Sequence, residues 1–300
     1  WFYTLHAISS MVFDSVSYKN VVSNGLVLDK NGQKMSKRLG NAIDPFQTLS
    51  DFGPDATRWY MISNSNPWDN LKFDLNGVDE VKRKFFGTLF NTYSFFALYA
   101  NIDGFKCEEK EIEFDQRPEL DRWILSELNS LIIIVDEYYN DYEPTKAARA
   151  INSFVIDNLS NWYVRLSRRR FWKGDYENDK ISAFQTLFNV LRNITKLSAP
   201  ISPFFMDRLF IDLSKNLNHK FGGSIHLEDF PVADKSKIDL KLEEKVKYAQ
   251  TISSLILSLR AKEKIKVRQP LSKILIPINT QAQKEIINSV SDEIKREVNI

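Results

Sequence analysis

Three cations, Lys34, Lys37 and Arg38, stand within five residues in NGQKMSKRLGN, residues 31–41, and Gly32 and Gly40 flank them. Lysine brings a compact, mobile positive charge, and glycine admits backbone conformations that other residues resist. Such a loop suits a strongly anionic ligand that binds briefly and leaves. The plainer alternative is a solvated turn between a strand and a helix. A second concentration of charge falls at Arg165, Arg168, Arg169 and Arg170, followed by Phe171, Trp172 and Lys173. Arg165, Arg168, Arg169 and Trp172 are three or four apart, so a helix shows them on one side. Arginine grips phosphates and stacks on bases, and tryptophan offers a stacking platform, so that side fits RNA. Alternatively, some of these arginines pair with acids such as Asp157 or Asp175. Lys262, Lys264, Lys266 and Arg268 form a third basic stretch with the same two readings.

The elements that position these groups change character along the chain. Trp1 to Phe13 has helical spacing, with Phe2, Leu5, Ile8 and Val12 as its expected buried face. Val21–Val22 and Gly25–Leu28 read as short strands leading into the cationic loop. Asp44–Pro45 starts a helix that ends at Gly53, and Pro54 opens the next. This part looks like the end of an α/β domain. From Gly77 the pattern is helical: Val78 to Ala100, then runs opened by Pro118 and Pro144, then Asp179 to Leu197, then one after Pro203. Short connections predict an antiparallel bundle. Its aromatic stripes are expected to be core. After Lys220, GGSIHLEDFP reads as a turn and a strand-like piece, Leu240 to Lys262 as an amphipathic helix, and Ile274 to Ile276 as a strand. The last twenty residues read as helical, with no capping signal at their end.

Composition narrows the classes. With 300 residues, 43% hydrophobic and 13% aromatic, the chain holds packed cores in two or three units. Against 39 acidic residues, 41 basic ones leave a net charge of +2, so any nucleic-acid surface is a local patch. Cys107 is the single cysteine, which excludes an internal disulfide and a multi-cysteine zinc site. His6, His219 and His226 are widely spaced, and no protein-bound metal is expected. His6 and His226 lack acid–base partners and read as structural, while Glu108 to Glu113 reads as a solvated linker face. There is no apolar run of membrane-spanning length and no signal-peptide pattern, so the expectation is a cytoplasmic protein without a membrane partner. The chain opens at Trp1 in an aromatic run, which points to a piece of a longer polypeptide.

KMSKRLG at 34–40 resembles the KMSKS signature of the class I aminoacyl-tRNA synthetases, with Arg38 at the position of the family's final serine. FGPDATRWYMIS resembles the helix that follows it in that family, with Pro54 and Thr57 as departures. PELDRWILSELNSL, NLSNWYVRLSRRRFW, LSAPISPFFMDRLF, SIHLEDFP and LRAKEKIKVRQPL are similar, in order, to the isoleucyl-tRNA synthetases. The resemblance covers essentially the whole chain. It implies a mainly α fold: residues 1–70 the end of a Rossmann-type α/β catalytic domain, 71–235 an antiparallel anticodon-binding helix bundle, and 236–300 a small α+β junction region.

In that family, isoleucine is activated by ATP and Mg2+ to an adenylate and passed to tRNA(Ile). The resemblance implies that Lys34 and Lys37 meet the departing pyrophosphate, where charge develops as the bond breaks, Lys37 foremost. Met35 and its backbone would cover the adenine, Ser36 would cap or bond phosphate, and Gly32 and Gly40 would let the loop close. Arg38 reads as a surface charge beside a helix. Trp1–Phe2 matches a segment that sets a tryptophan against the isoleucine side chain, with a core tryptophan as the alternative. Arg165, Arg168, Arg169 and Trp172 become candidates for holding tRNA. The parent is expected to be a monomer. This stretch lacks the family's HIGH motif and editing module and is expected to be inactive alone. A valyl or leucyl relative, a non-catalytic helical RNA-binding module and an inert scaffold are the rivals.

Overall fold

The computed structural model describes residues 1–215 and 223–300, and the protein is mainly helical, at 67% helix. His219, Lys220 and the first glycine of the expected turn lie outside the described residues. Helix α1 (Phe2–Phe13) forms as expected but buries none of its residues. Phe2, Leu5, Ile8 and Val12 are all exposed, which corrects the expected buried face. The spacing was helical, but the described residues leave that face largely uncovered; Tyr18 meets Phe2 edge-on, with ring centroids 6.0 Å apart.

Strand β1 (Val27–Leu28) pairs in parallel with β2 (Leu71–Lys72). Val21–Val22 is not a strand, because this two-stranded ladder offers it no partner. The crossover between the strands contains the cationic loop, α2 (Pro45–Phe52) and α3 (Pro54–Asn64). Asp44 caps α2 by accepting from the amides of Phe46 at 2.8 Å and Gln47 at 3.3 Å, a device that contributes about 1 kcal/mol. In α3, Trp59 is buried and stacks on Phe85, with ring centroids 4.0 Å apart.

That stack joins the crossover to the helical part. Helix α4 (Leu75–Val81) continues through a π-helical turn (Lys82–Phe86) into α5 (Gly87–Asp103). Then come α6 (Glu119–Asn140), α7 (Pro144–Ser153), a π-helical stretch (Phe154–Val164) that runs on into α8 (Arg165–Trp172), α9 (Asn178–Ser198) and α10 (Pro203–Ser214). The expected stripes are the core: Phe85, Leu89, Trp123, Val135, Ile151, Leu159, Phe184, Leu187 and Leu191 are fully buried.

A polar hub that the stripes did not announce fixes four of these segments together. Asp121 has no exposure and accepts four bonds: from Tyr163 Oη at 2.9 Å, Arg170 Nη1 and Nη2 at 2.6 and 2.8 Å, and Ser182 Oγ at 2.6 Å. The carboxylate of α6 thus ties the π-helical stretch, α8 and α9. Burial alone would lower the affinity of Arg170 for its proton, but the bonds to Asp121 outweigh it and hold the guanidinium firmly charged.

Beyond α10, Ile225–Leu227 is a short 3-10 turn and not a strand. Asp207 Oδ1 accepts from Ser224 Oγ and the Ile225 amide, winding the chain back onto α10. Helix α11 (Leu240–Lys262) has the expected bounds. Ile274 to Ile276 is not a strand: it lies between Pro270 and Pro277 without a ladder partner among the described residues. The expected α+β character of 236–300 is therefore corrected to helical. Helices α12 (Gln281–Ser289) and α13 (Ser291–Val298) close the chain. The end is capped after all: Asn299 takes a left-handed conformation and its amide bonds back to the Lys295 carbonyl. Arg260, 3% exposed, gathers the carbonyls of Lys266, Gln269 and Asn299 and holds this terminus to α11.

Candidate functional site

The cationic loop is a knotted turn whose knot is made by two residues, Asp29 and Asn41, that residue type and spacing did not single out. Asp29 Oδ1 accepts from the amides of Asn31 at 2.9 Å and Gln33 at 2.8 Å, and the Asp29 amide donates to the Gln33 carbonyl. Asn41 crosses the base of the loop: its Nδ2 donates to Asp29 Oδ2 at 2.9 Å and to the Lys34 carbonyl at 3.3 Å, while its Oδ1 accepts from the Ser36 amide at 2.8 Å. The Asn41 side-chain amide and these backbone donors hold the Asp29 carboxyl below the usual carboxylate range. Asp29 is sheltered by its own loop and not by the mass of the protein. The signal available in the sequence was an aspartate opening an Asx-type turn ahead of Asn31–Gly32.

Above that knot the backbone turns at Gly32 (φ 83°) and Gly40 (φ 66°), both in the left-handed region. Ser36 caps a single 3-10 turn, Lys37–Leu39, by accepting from the Arg38 amide at 3.2 Å. Met35 is half-buried and packs against the hydrophobic core. Lys34 and Lys37 are exposed, and neither ammonium makes an ion pair or side-chain hydrogen bond among the described residues. Arg38 is also exposed.

The loop is connected to the bundle through α3. Asp55 is buried; desolvation raises its pKa, against the pull of the Phe205 amide at the start of α10, whose bond it accepts. Arg58 donates from Nε to the Ile201 carbonyl at 2.8 Å and from Nη2 to the Pro200 carbonyl at 3.3 Å. Two charged side chains of α3 thereby serve the free backbone groups at the α9–α10 corner.

Trp1 is 95% exposed. The basic helix α8 divides by role. Arg165 pairs with Glu297 of α13. Arg170 is committed to Asp121 and Asp179. The acids suggested by sequence are not the partners: Asp157 instead accepts from Ser153 Oγ at 2.9 Å, and neither Asp157 nor Asp175 makes an ion pair among the described residues. Arg168 lies over the Phe95 ring at 5.9 Å, Arg169 is exposed without a partner among the described residues, and Trp172 is 60% exposed. Arg168, Arg169 and Trp172 thus remain on an open surface, and Arg165 stands at its inner end. Lys262, Lys264, Lys266 and Arg268 are all exposed. His6 lies beside Tyr18, ring centroids 6.0 Å apart, and His226 is exposed. Among the described residues no group of three histidines, cysteines or carboxylates could hold a metal ion, and no helix is long and apolar enough to cross a membrane.

Residues 121–275 match the family model described as the anticodon-binding domain of tRNA ligase, and residues 1–74 match that of the class I tRNA synthetases (I, L, M and V). The whole chain is 60% identical to isoleucine–tRNA ligases of Bacteroides thetaiotaomicron and Cytophaga hutchinsonii, covering 26% and 27% of them. It is 43% identical to that of Dehalococcoides mccartyi strain CBDB1, covering 29%. The chain thus spans about a quarter of the length of these curated relatives. A crystal structure of a ternary complex of LeuRS from Agrobacterium radiobacter K84 with tRNA and LeuAMS shares the fold, with a TM-score of 0.59 and 20% identity over 79% of this chain and 28% of that one.

Proposed function

The chain belongs to the tRNA ligase family whose anticodon-binding domain spans residues 121–275, and on that premise we propose that it is the nucleotide-loop and RNA-binding part of an isoleucine–tRNA ligase. We take residues 1–70 as the end of the Rossmann-type catalytic domain and 71–235 as the helical anticodon-binding bundle, which holds most of the matched stretch; that stretch runs on to residue 275, into the 236–300 junction region. In the full-length enzyme the isoleucine carboxylate attacks the α-phosphate of ATP, which enters with Mg2+ as the substrate complex. Pyrophosphate leaves, and the isoleucyl group of the adenylate passes to tRNA(Ile). Negative charge grows on the departing pyrophosphate, and cations aimed there stabilise the transition state more than bound ATP.

The observation that carries this reading is the pair of free ammonium groups at Lys34 and Lys37, on a loop whose base Asp29 and Asn41 fix. Arg168, Arg169 and Trp172 hold the tRNA, with Arg165 at the edge of that surface. Trp1, exposed and unpacked here, contacts the isoleucine side chain. The enzyme acts as a cytoplasmic monomer.

Pyrophosphate exchange into ATP by the full-length enzyme, with isoleucine, valine and leucine in turn, tests the assignment. Isoleucine should give the highest kcat/KM, and the 300-residue chain alone should give no exchange. A preference for valine or leucine would reassign the amino acid, and exchange by the chain alone would contradict the division of labour.

A further inference from the structure

Strand pairing sets another lysine beside the cationic loop, from a part of the chain outside the loop's own motif. Leu28 of β1 is partnered on one side by Lys72 of β2, in parallel, and on the other by Lys34, in an isolated antiparallel bridge. Residues paired across strands put their side chains on the same face. Lys34, Leu28 and Lys72 therefore form one row on one face, with the two lysine backbones two strand spacings, or about 10 Å, apart. Leu71 and Phe73, on either side of Lys72, point the other way and are buried, as strand alternation requires.

The Lys72 side chain follows that face toward the turn. A Cβ placed on Gly32 would stand 3.1 Å from Lys72 Cε and 3.7 Å from its Nζ, so the stem lies over the glycine that turns the loop. Its ammonium is exposed and makes no ion pair or hydrogen bond among the described residues. The carboxylates beside these strands are already engaged: Asp29 in the knot, Asp69 with Asn66 Nδ2 at 3.0 Å, and Asp74 with the Asn76 amide at 3.0 Å. Two cations that share a face without a counterion repel each other, and an anion between them attracts both. The backbone beneath Lys72, unlike that of the loop, is pinned. Its carbonyl accepts from Tyr60 Oη at 3.0 Å, and the amides of Leu71 and Phe73 donate to the carbonyls of Leu26 and Leu28, both at 2.9 Å.

We infer that Lys72 is a third phosphate-binding residue of the nucleotide site, meeting the phosphates of ATP from the strand while Lys34 and Lys37 meet them from the loop. The inference rests on the nucleotide-loop reading above. A cation on a pinned strand makes the same contact with bound ATP and with the transition state, so it strengthens binding without speeding the chemical step. A cation on a loop that turns at glycines can close as charge moves to the leaving group, and it speeds that step. Lys72 holds the ground state; Lys37 serves the transition state.

The test is isoleucine-dependent pyrophosphate exchange by the full-length enzyme at varied ATP, with tRNA affinity measured alongside. Lys72→Ala should raise the KM for ATP about tenfold, the loss of one charge-assisted contact, with kcat nearly unchanged. Lys37→Ala in the same assay should instead lower kcat. Lys72→Arg keeps the charge and should recover most of the lost affinity. The side chain is exposed, so both Lys72 variants should keep the parent melting temperature, which a thermal scan checks. A parent KM in Lys72→Ala, or a rise that Lys72→Arg does not relieve, overturns the inference. So does a loss confined to tRNA affinity, which would place Lys72 on the RNA. In each case a fall in kcat with Lys37→Ala leaves the nucleotide loop standing, whereas a parent kcat there removes the loop reading as well.

Discussion

The role proposed for Lys37 requires that its neighbours leave it free. The Asp29–Asn41 knot takes up the backbone polar groups at the base of the loop and no lysine side chain, so the ammonium groups stay available to a nucleotide. Asp29→Ala should therefore lower the rate of adenylate formation by the full-length enzyme without removing any charge that meets ATP. The readout is single-turnover kinetics, with kcat falling and the melting temperature nearly unchanged. The Asp29 carboxyl titrates below its ordinary range, so its contribution to loop order is complete above the unfolded pKa of about 3.9 and lost as pH falls through the folded value. Loop order followed by amide exchange should decline only in strong acid. The run of cations and its flanking glycines were legible from residue type and spacing. The knot was not, because it is made by side chains twelve positions apart.

At the scale of elements, what was local was readable and what was distant was not. The Asp44 cap, the start at Pro54 and both ends of α11 follow from signals within a few residues of each boundary. The β reading of Ile274 to Ile276 failed because β-branched composition needs a partner strand, and none lies beside it among the described residues. The Asp121 hub joins residues 42 to 61 positions away, beyond the reach of periodicity. Removing it by Asp121→Ala should destabilise the protein by about 3 kcal/mol, since Arg170 loses its buried carboxylate and keeps only the more exposed Asp179. Denaturant melts give that number directly. A second interface should respond to pH. Burial, reinforced by the nearby Glu243 of α11, pushes the Glu127 carboxyl up to about 7, while Asn158 donates to it at 3.1 Å. The folded state therefore favours the protonated acid. Its contribution is full below about pH 4.5 and lost as pH rises toward 7. Glu127→Gln should flatten stability across that window, and an unchanged pH profile would show that the Glu127 environment is not the cause.

At the scale of the molecule, α3 joins the cationic loop to the bundle that carries the basic helix, its Asp55 and Arg58 serving the α9–α10 corner. The two ends should nevertheless be separable by mutation. Arg168→Glu with Arg169→Glu should weaken tRNA binding and reduce its salt dependence, by about one unit of slope for each phosphate no longer neutralised, while leaving pyrophosphate exchange intact. The resemblance in motifs suggested this division, but which arginines stay open was decided by Glu297 and Asp121, far from α8 in sequence. The most direct measurement is Lys37→Ala in the full-length enzyme, assayed in parallel for isoleucine-dependent pyrophosphate exchange and for tRNA affinity. Exchange should fall by about 100-fold or more with tRNA affinity unchanged. Exchange at the parent rate, or a loss that appears only as salt-sensitive tRNA affinity, would contradict the assignment of this loop to the leaving pyrophosphate.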